Sequence, residues 1–151
     1  MTFFFETLER HGDLPALVTP TGDRLTYREL AVEADAFGET LVTDSGMTRG
    51  LLALEMENCP EAIIAYLGAL RVGWPVILLA EGALARNPRI LADFAVDMEY
   101  RRSGSDWRLT ALQHTAGGSL HPDLAVLLST SGSTGSAKLV RLSRSNVEAN
   151  A

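Results

Sequence analysis

The part of the chain best suited to chemistry is a short segment near its C-terminus that is rich in hydroxyl groups and glycine. It reads Thr130, Ser131, Gly132, Ser133, Thr134, Gly135, Ser136, Ala137 and Lys138. Glycine lets a backbone adopt positive φ and approach a ligand closely, and successive N–H groups in such a turn form a concave anion site. The hydroxyl groups add hydrogen-bond donors, and the lysine adds a positive charge. The segment is therefore suited to wrapping a polyphosphate.

The spacing of this segment differs from that of the Walker loop, which requires G-x-x-x-x-G-K-[ST] leading directly into a helix. Here two residues separate Gly132 from Gly135, and Leu139 stands where a serine or threonine would bind magnesium. A flexible Ser/Gly linker is the other alternative, but a linker needs neither Lys138 nor apolar segments on both sides. We therefore interpret the segment as a phosphate loop of a different kind.

The residues on either side of the loop predict the elements that position it. Residues 123–129 have the apolar character of a buried strand, and residues 138–142 are compatible with a second strand. Ser143 is typical of the N-cap of a short final helix that runs to Ala151. The predicted order is strand, loop, strand, helix.

The loop and the residues after it resemble the signature of the adenylate-forming superfamily, which includes acyl- and aryl-CoA synthetases and the adenylation domains of peptide synthetases. That pattern is roughly [ST]-S-G-[ST]-T-G-x-P-K-G, followed by L-[ST]-H-x-N-x-x-A-N. The matching residues are Thr130, Ser131, Gly132, Ser133, Thr134, Gly135, Lys138, Leu142, Ser143, Asn146, Ala149 and Asn150. Ala137 replaces the usual proline, and Leu139 stands where glycine is common.

A second resemblance to the same superfamily lies near the N-terminus. The family's opening stretch, P-A-L-v followed by l-T-Y-x-E-L, is similar to Pro15, Ala16, Leu17 and Val18 followed by Leu25, Thr26, Tyr27, Glu29 and Leu30. Residues 73–80 resemble a third family motif only weakly, because both of its later prolines are missing. Together the two clear matches extend over nearly the whole chain.

The resemblance implies an ATP-dependent ligase that converts a carboxylic acid to an acyl-adenylate and then to a thioester of CoA or a carrier thiol. ATP and Mg²⁺ would be its cofactors, with Thr130, Ser131, Gly132, Ser133, Thr134, Gly135 and Lys138 binding the ATP phosphates. In the family, the magnesium ligand, the ribose-binding aspartate and the catalytic lysine belong to later motifs, so no catalytic or metal-binding residue is expected here. We therefore expect residues 1–151 to be an N-terminal fragment of the large AMP-binding domain, ending just after the loop and inactive alone. The alternative is a self-sufficient module that binds a nucleotide or phosphate without chemistry.

The composition of the 151-residue chain is that of an ordinary globular domain, with 46% hydrophobic and 21% charged residues. A net charge of −6 without an evident basic face argues against a nucleic acid partner. The single cysteine, Cys59, lies near a predicted helix start and is interpreted as structural. The three histidines are too far apart in sequence to suggest a metal site.

The chain lacks a recognisable secretory signal and a convincing membrane span. Residues 62–80 are mostly apolar, but Arg71 interrupts them and residues 73–75, Gly-Trp-Pro, would break a helix. A buried helix followed by a buried strand fits this pattern better. The sequence therefore predicts a cytoplasmic protein.

The pattern along the chain predicts an α/β fold: a mixed, largely parallel sheet flanked by helices, as an incomplete N-terminal portion of the adenylate-forming enzyme fold. Helices are predicted over residues 2–11, from Thr26 onwards over a sheet, over 62–70 capped by Asn58, and over 90–94. Strands are predicted at 16–18, 24–26, 51–56, 76–79, 98–101 and 107–112, and a loop at 113–122. Strand 51–56, the following helix and strand 76–79 form a predicted parallel βαβ unit.

Two further expectations concern surfaces. Glu55 and Glu57 could be an acid–base pair, but a solvated strand end is the preferred interpretation. The strongly apolar helix and strands are expected to leave an exposed apolar patch, which the piece relieves by self-association or by poor ordering of residues 139–151.

Overall fold

The structure is a computed structural model that describes residues 2–113, 119–129 and 138–151. In chain order its elements are two 3₁₀ turns (Phe4–Glu6 and Leu8–His11), β1 (Pro15–Val18), β2 (Arg24–Thr26), α1 (Tyr27–Ser45), β3 (Leu52–Met56), α2 (Pro60–Arg71), β4 (Val76–Ala80), α3 (Ala83–Arg86), α4 (Arg89–Asp93), β5 (Met98–Ser103), β6 (Asp106–Ala111), β7 (Leu124–Ser129), β8 (Leu139–Ser143) and α5 (Arg144–Glu148).

The centre of the molecule is a six-stranded sheet in the order β6-β5-β3-β4-β7-β8. The four inner strands are parallel, and β6 and β8 pair antiparallel at the two margins. The inner strands are apolar because helices cover both of their faces, as parallel sheets require. The predicted fold class and the parallel βαβ unit β3–α2–β4 are both confirmed.

The strands predicted at 16–18, 24–26, 98–101 and 107–112 are also present, and they form two hairpins. β1 pairs antiparallel with β2 in a separate two-stranded sheet, and β5 pairs antiparallel with β6. The turn of the second hairpin contains Gly104 at φ 68, a conformation that favours glycine.

One face of the sheet carries α1 and α2, and the other carries α3 and α4 around Ile77, Leu84 and Ile90. The predicted Thr26–Glu29 capping box begins α1. Leu41 of α1 reaches β3, but the closest neighbour of α1 is α2. No helix in the described part of the chain is both long and apolar enough to cross a membrane.

Two local predictions are wrong. Residues 2–11 form 3₁₀ turns rather than one helix, because Phe5 is buried and Phe3 stacks on it at 5.3 Å between ring centroids. Packing of neighbouring rings, rather than helix propensity, sets this backbone. The N-cap of α2 is Cys59 instead of Asn58, and its side chain makes no capping hydrogen bond.

Candidate functional site

The predicted phosphate loop connects β7 to β8. Its residues Thr130, Ser131, Gly132, Ser133, Thr134 and Gly135 lie outside the described residues. Lys138 is described: it is exposed and directly precedes β8. Ser129 and Leu139 are paired neighbours across the two strands, so the described chain defines both ends of the segment.

The frame of this segment lies at the carboxyl edge of the parallel strands. β7 runs parallel to β4, and β4 runs parallel to β3, so Met56, Ala80 and Ser129 end their strands at the same edge. Open α/β sheets bind ligands outside the carboxyl ends of their strands. The loop predicted from residue types is therefore connected to a sheet edge where ligand binding is common.

The strand that leads into the segment is firmly held. Ala125, Val126 and Leu127 of β7 are buried, and β7 is paired on both sides, with β4 and with β8. A buried strand with neighbours on both sides is among the last parts of a domain to open. Ser129 is thus a fixed starting point for the residues that follow.

The strand that leaves the segment continues directly into α5. Ser143 caps this helix as predicted: its hydroxyl accepts from the backbone N of Asn146 at 3.2 Å, and Asn146 Oδ1 accepts from the Ser143 backbone N at 3.0 Å. The predicted strands and helix around the loop are confirmed, although α5 ends at Glu148 rather than at Ala151.

The start of β7 is held by Arg49, whose importance the sequence did not reveal. Its guanidinium donates to the carbonyl oxygens of Gly73, Leu120, His121, Pro122 and Leu124 at 2.9–3.4 Å. These carbonyls belong to the turn before β4 and to the chain entering β7. Arg49 therefore joins the amino ends of adjacent strands, and no local sequence pattern predicts such contacts.

The two carboxylates at the end of β3 have separate structural partners. Glu55 is buried, and its Oε1 accepts from the backbone N of Leu84 at 2.8 Å. Glu57 forms an ion pair with Arg102 at 2.8 Å. The expected solvated strand end is thus wrong for Glu55, because the start of α3 folds over it and supplies a donor.

Cys59 lies close to the same edge, at the N-cap of α2. Burial raises the pKa of its thiol, and the neighbouring carboxylates Glu61 and Glu57 raise it further. A raised pKa leaves little of the nucleophilic thiolate at neutral pH. This environment supports the structural interpretation of Cys59.

The charged side chains near this edge indicate which ligands it suits. Lys138 offers a cation next to the predicted loop and suits an anionic ligand such as a polyphosphate. Within residues 2–113, 119–129 and 138–151, no group of three His, Cys, Asp or Glu side chains could hold a metal ion. Among the described residues at this edge, Lys138 is thus a group suited to an anionic ligand.

A family model and a curated protein both match this chain. A family model described as AMP-binding enzyme matches residues 4–87. Among curated proteins, the chain is 25% identical over 154 residues to "Nonribosomal peptide synthetase pboA" of Aspergillus ustus. That match extends over 92% of this chain and only 8% of the relative.

Solved structures with the same fold extend the comparison to the C-terminal part of the chain. The N-terminal subdomain of Klebsiella oxytoca NpsA, in complex with 3-hydroxyanthranilyl-AMSN, has a TM-score of 0.70 and 24% identity over 93% of this chain and 39% of that one. Apo MatB from Rhodopseudomonas palustris has a TM-score of 0.69 and 23% identity over 97% of this chain and 36% of that one. The chain therefore spans well under half of each of these relatives.

Proposed function

The chain belongs to the AMP-binding enzyme family, whose model matches more than half of it, and from this premise we propose that it is the N-terminal portion of a ligase that activates a carboxylic acid with ATP. The acid would form an acyl-adenylate and pass its acyl group to the thiol of CoA or of a carrier. The curated relative is described as a synthetase, which favours a ligase over a binding module without chemistry.

Within this function, the segment from Thr130 to Lys138 binds the phosphates of ATP. The observation that supports this assignment is that Ser129 and Leu139, which flank the segment, are paired at the carboxyl edge of a parallel sheet in a member of this family. Lys138 supplies a positive charge at that edge, and the hydroxyl and backbone N–H groups of Thr130, Ser131, Gly132, Ser133, Thr134 and Gly135 supply donors.

The residues of this chain bind and orient the nucleotide rather than transfer protons or electrons. Preorganised donors aimed at phosphate oxygens stabilise charge that develops during the displacement of pyrophosphate. In the complete enzyme, Mg²⁺ would neutralise phosphate charge, held by residues outside this chain. The cytoplasmic location expected from the sequence stays a prediction.

Binding of ATP to the purified chain tests the assignment of Lys138. A charge-assisted hydrogen bond contributes about 1.5–3 kcal/mol, so Lys138→Ala should weaken ATP binding by roughly ten- to a hundredfold. Arg141→Ala is the matched control, because it removes an exposed cation from the same strand, outside the loop. Isothermal titration calorimetry measures both affinities. Equal losses of ATP affinity in the two variants would show that binding depends on the overall positive charge rather than on Lys138. That result would contradict the assignment.

A second measurement tests whether residues 1–151 suffice for chemistry. We propose that they do not, because the resemblance assigns the magnesium ligand and the catalytic lysine to later motifs. The chain should then release no pyrophosphate from ATP when carboxylic acids are added. Acid-dependent release that disappears with Lys138→Ala would refute this part of the proposal.

A further inference from the structure

The first residues of the chain form a fixed surface on the helical layer. Phe5 is fully buried, and Arg71 of α2 donates from Nη1 to the carbonyl oxygen of Phe5 at 2.6 Å. The same guanidinium donates to both carboxylate oxygens of Asp35 in α1, at 2.6 and 3.0 Å. Residues 3–6, named here the N-terminal platform, are therefore attached to both α1 and α2.

Helix α5 docks on this platform through two side chains one turn apart. Glu148 Oε2 accepts from the backbone N of Phe4 at 2.6 Å. The Arg144 guanidinium lies 5.6 and 5.7 Å from the ring centroids of Phe3 and Phe5, within the range of cation–π attraction. Residues at i and i+4 share one face of a helix, so this face of α5 packs on the N-terminal platform.

Arg144 makes further contacts from the same position. Its Nη2 donates to the carbonyl oxygen of Leu70 at 3.2 Å, and its Nη1 lies 3.5 Å from Glu6 Oε1. The guanidinium thus bridges the end of α2 and the N-terminal platform. Its side chain is 28% exposed, which leaves these contacts partly shielded from water.

These contacts matter because α5 cannot hold itself in place. The helix has five residues and none of them is fully buried, whereas isolated helices of that length are unstable in water. No residue separates α5 from β8, and β8 begins immediately after Lys138. A five-residue strand is about 17 Å long, so α5 and Lys138 lie at opposite ends of one short, stiff element.

We propose that Arg144 and Glu148 are positioning residues for the phosphate site. By docking α5 on the N-terminal platform they fix the far end of β8, and thereby the place of Lys138 at its near end. The platform lies more than a hundred residues away in sequence, since the Phe4–Glu148 contact spans 144 positions. The identity of the ligand at Lys138 rests on the proposed function, whereas the docking of α5 does not.

Amide hydrogen exchange and ATP titration of the 151-residue chain test this proposal together. In the double variant Arg144→Ala/Glu148→Ala, exchange at the β8 amides that pair with β7 should rise about tenfold, and ATP affinity should fall by a similar factor. Exchange in β3 and β4 should not change. Unlike Glu148→Ala, the variant Glu148→Gln should keep the β8 exchange rates and the ATP affinity of the wild type. Its amide oxygen can still accept from the Phe4 N–H.

The matched control is Arg28→Ala, which removes an exposed ion pair with Asp13 that includes no residue of α5. It should leave β8 exchange and ATP affinity as in the wild type. If the double variant does not fold, hydrogen exchange and ATP affinity are measured on the single variants Glu148→Ala and Arg144→Lys instead.

The outcomes separate the two proposals. Unchanged β8 exchange in the Arg144 and Glu148 variants would overturn the positioning role. Raised β8 exchange with unchanged ATP affinity would also overturn it, since the strand would then move without consequence for the site. A wild-type chain that binds no ATP, combined with raised β8 exchange in the variants, would contradict the proposed function while supporting the docking of α5.

Discussion

At the scale of single residues, three polar side chains of this molecule bind main-chain groups that lie in loops or at the ends of elements. Arg49 holds carbonyl oxygens before β4 and β7, Glu55 holds the start of α3, and Asp97 accepts from the Leu51 backbone N at 2.7 Å. Buried polar groups are costly unless they are hydrogen-bonded. Each of these side chains therefore stabilises a particular path of the loop that it contacts.

Tyr100 provides a residue-scale prediction that depends on pH. Its ring stacks on Trp107 at 5.1 Å, and burial, with smaller effects from Glu61 and Cys59, raises its pKa to about 12. In the unfolded chain this tyrosine would ionise near pH 10. The contribution of neutral Tyr100 to the free energy of unfolding is therefore fully present below about pH 10 and is lost progressively as the pH rises towards 12. Tyr100→Phe should remove this part of the alkaline loss.

Urea unfolding of the wild type and Tyr100→Phe at several alkaline pH values measures the difference. Tyr27→Phe serves as the control for removing a tyrosine elsewhere. The same alkaline slope in the wild type and in Tyr100→Phe would contradict the prediction.

At the scale of elements, two glycines bring α1 and α2 close together. A Cβ on Gly38 would lie 2.6 Å from Val72 Cγ1, and a Cβ on Gly68 would overlap the carbonyl oxygen of Ala34. The two helices can approach this closely only because neither residue carries a side chain. Helix propensity alone would favour alanine at both positions.

Gly68→Ala should therefore destabilise the protein despite its better helix propensity. The propensity gain is about 1 kcal/mol, whereas overpacking costs about 1–3 kcal/mol and more where the clash is with backbone. Thermal unfolding should show a lower melting temperature. Ala36→Gly, at an exposed position of α1, measures the propensity effect without a packing change. A Gly68→Ala variant more stable than the wild type would show that α1 and α2 separate without cost.

At the scale of the whole molecule, the margin of the sheet formed by β7 and β8 is less covered than its centre. Leu128 and Val140 are cross-strand partners that are 36% and 45% exposed. Leu128 also lines a groove of about 460 Å³ together with Leu78, Val126, Leu142 and Val147. Adjacent apolar side chains at a sheet margin favour association with another surface.

Self-association through this margin is the whole-molecule prediction. Sedimentation velocity should show a mass that rises with protein concentration, and Leu128→Ser/Val140→Thr should shift the equilibrium towards the monomer because it removes apolar contact area. Val32→Thr changes an even more exposed valine, on α1, and should have no effect. A wild-type chain that stays monomeric at every concentration would count against the prediction.

The elements around the candidate site were predictable from the sequence, whereas its phosphate-binding chemistry stays a prediction. The residue types from Thr130 to Lys138 predict a phosphate loop, and the apolar runs on either side predicted β7 and β8, which the structure contains. The groups that support the site, Arg49, Arg144 and Glu148, carried no such signal. Arg49 and Glu148 bind backbone atoms of distant residues, and Arg144 contacts both backbone and side chains more than 70 positions away, so no local pattern marks these residues.

The sequence by itself determined the features that depend on neighbours along the chain. The Thr26–Glu29 and Ser143–Asn146 caps, the hairpins and the parallel β3–α2–β4 unit follow from local spacing and hydrophobic periodicity. Only the tertiary structure decided the 3₁₀ turns around Phe5, the burial of Glu55 and the docking of α5 on the N-terminal platform. The burial of Glu55 and the docking of α5 arise from contacts between residues far apart in sequence, and the 3₁₀ turns depend on the burial of Phe5, so all three form only when the chain folds.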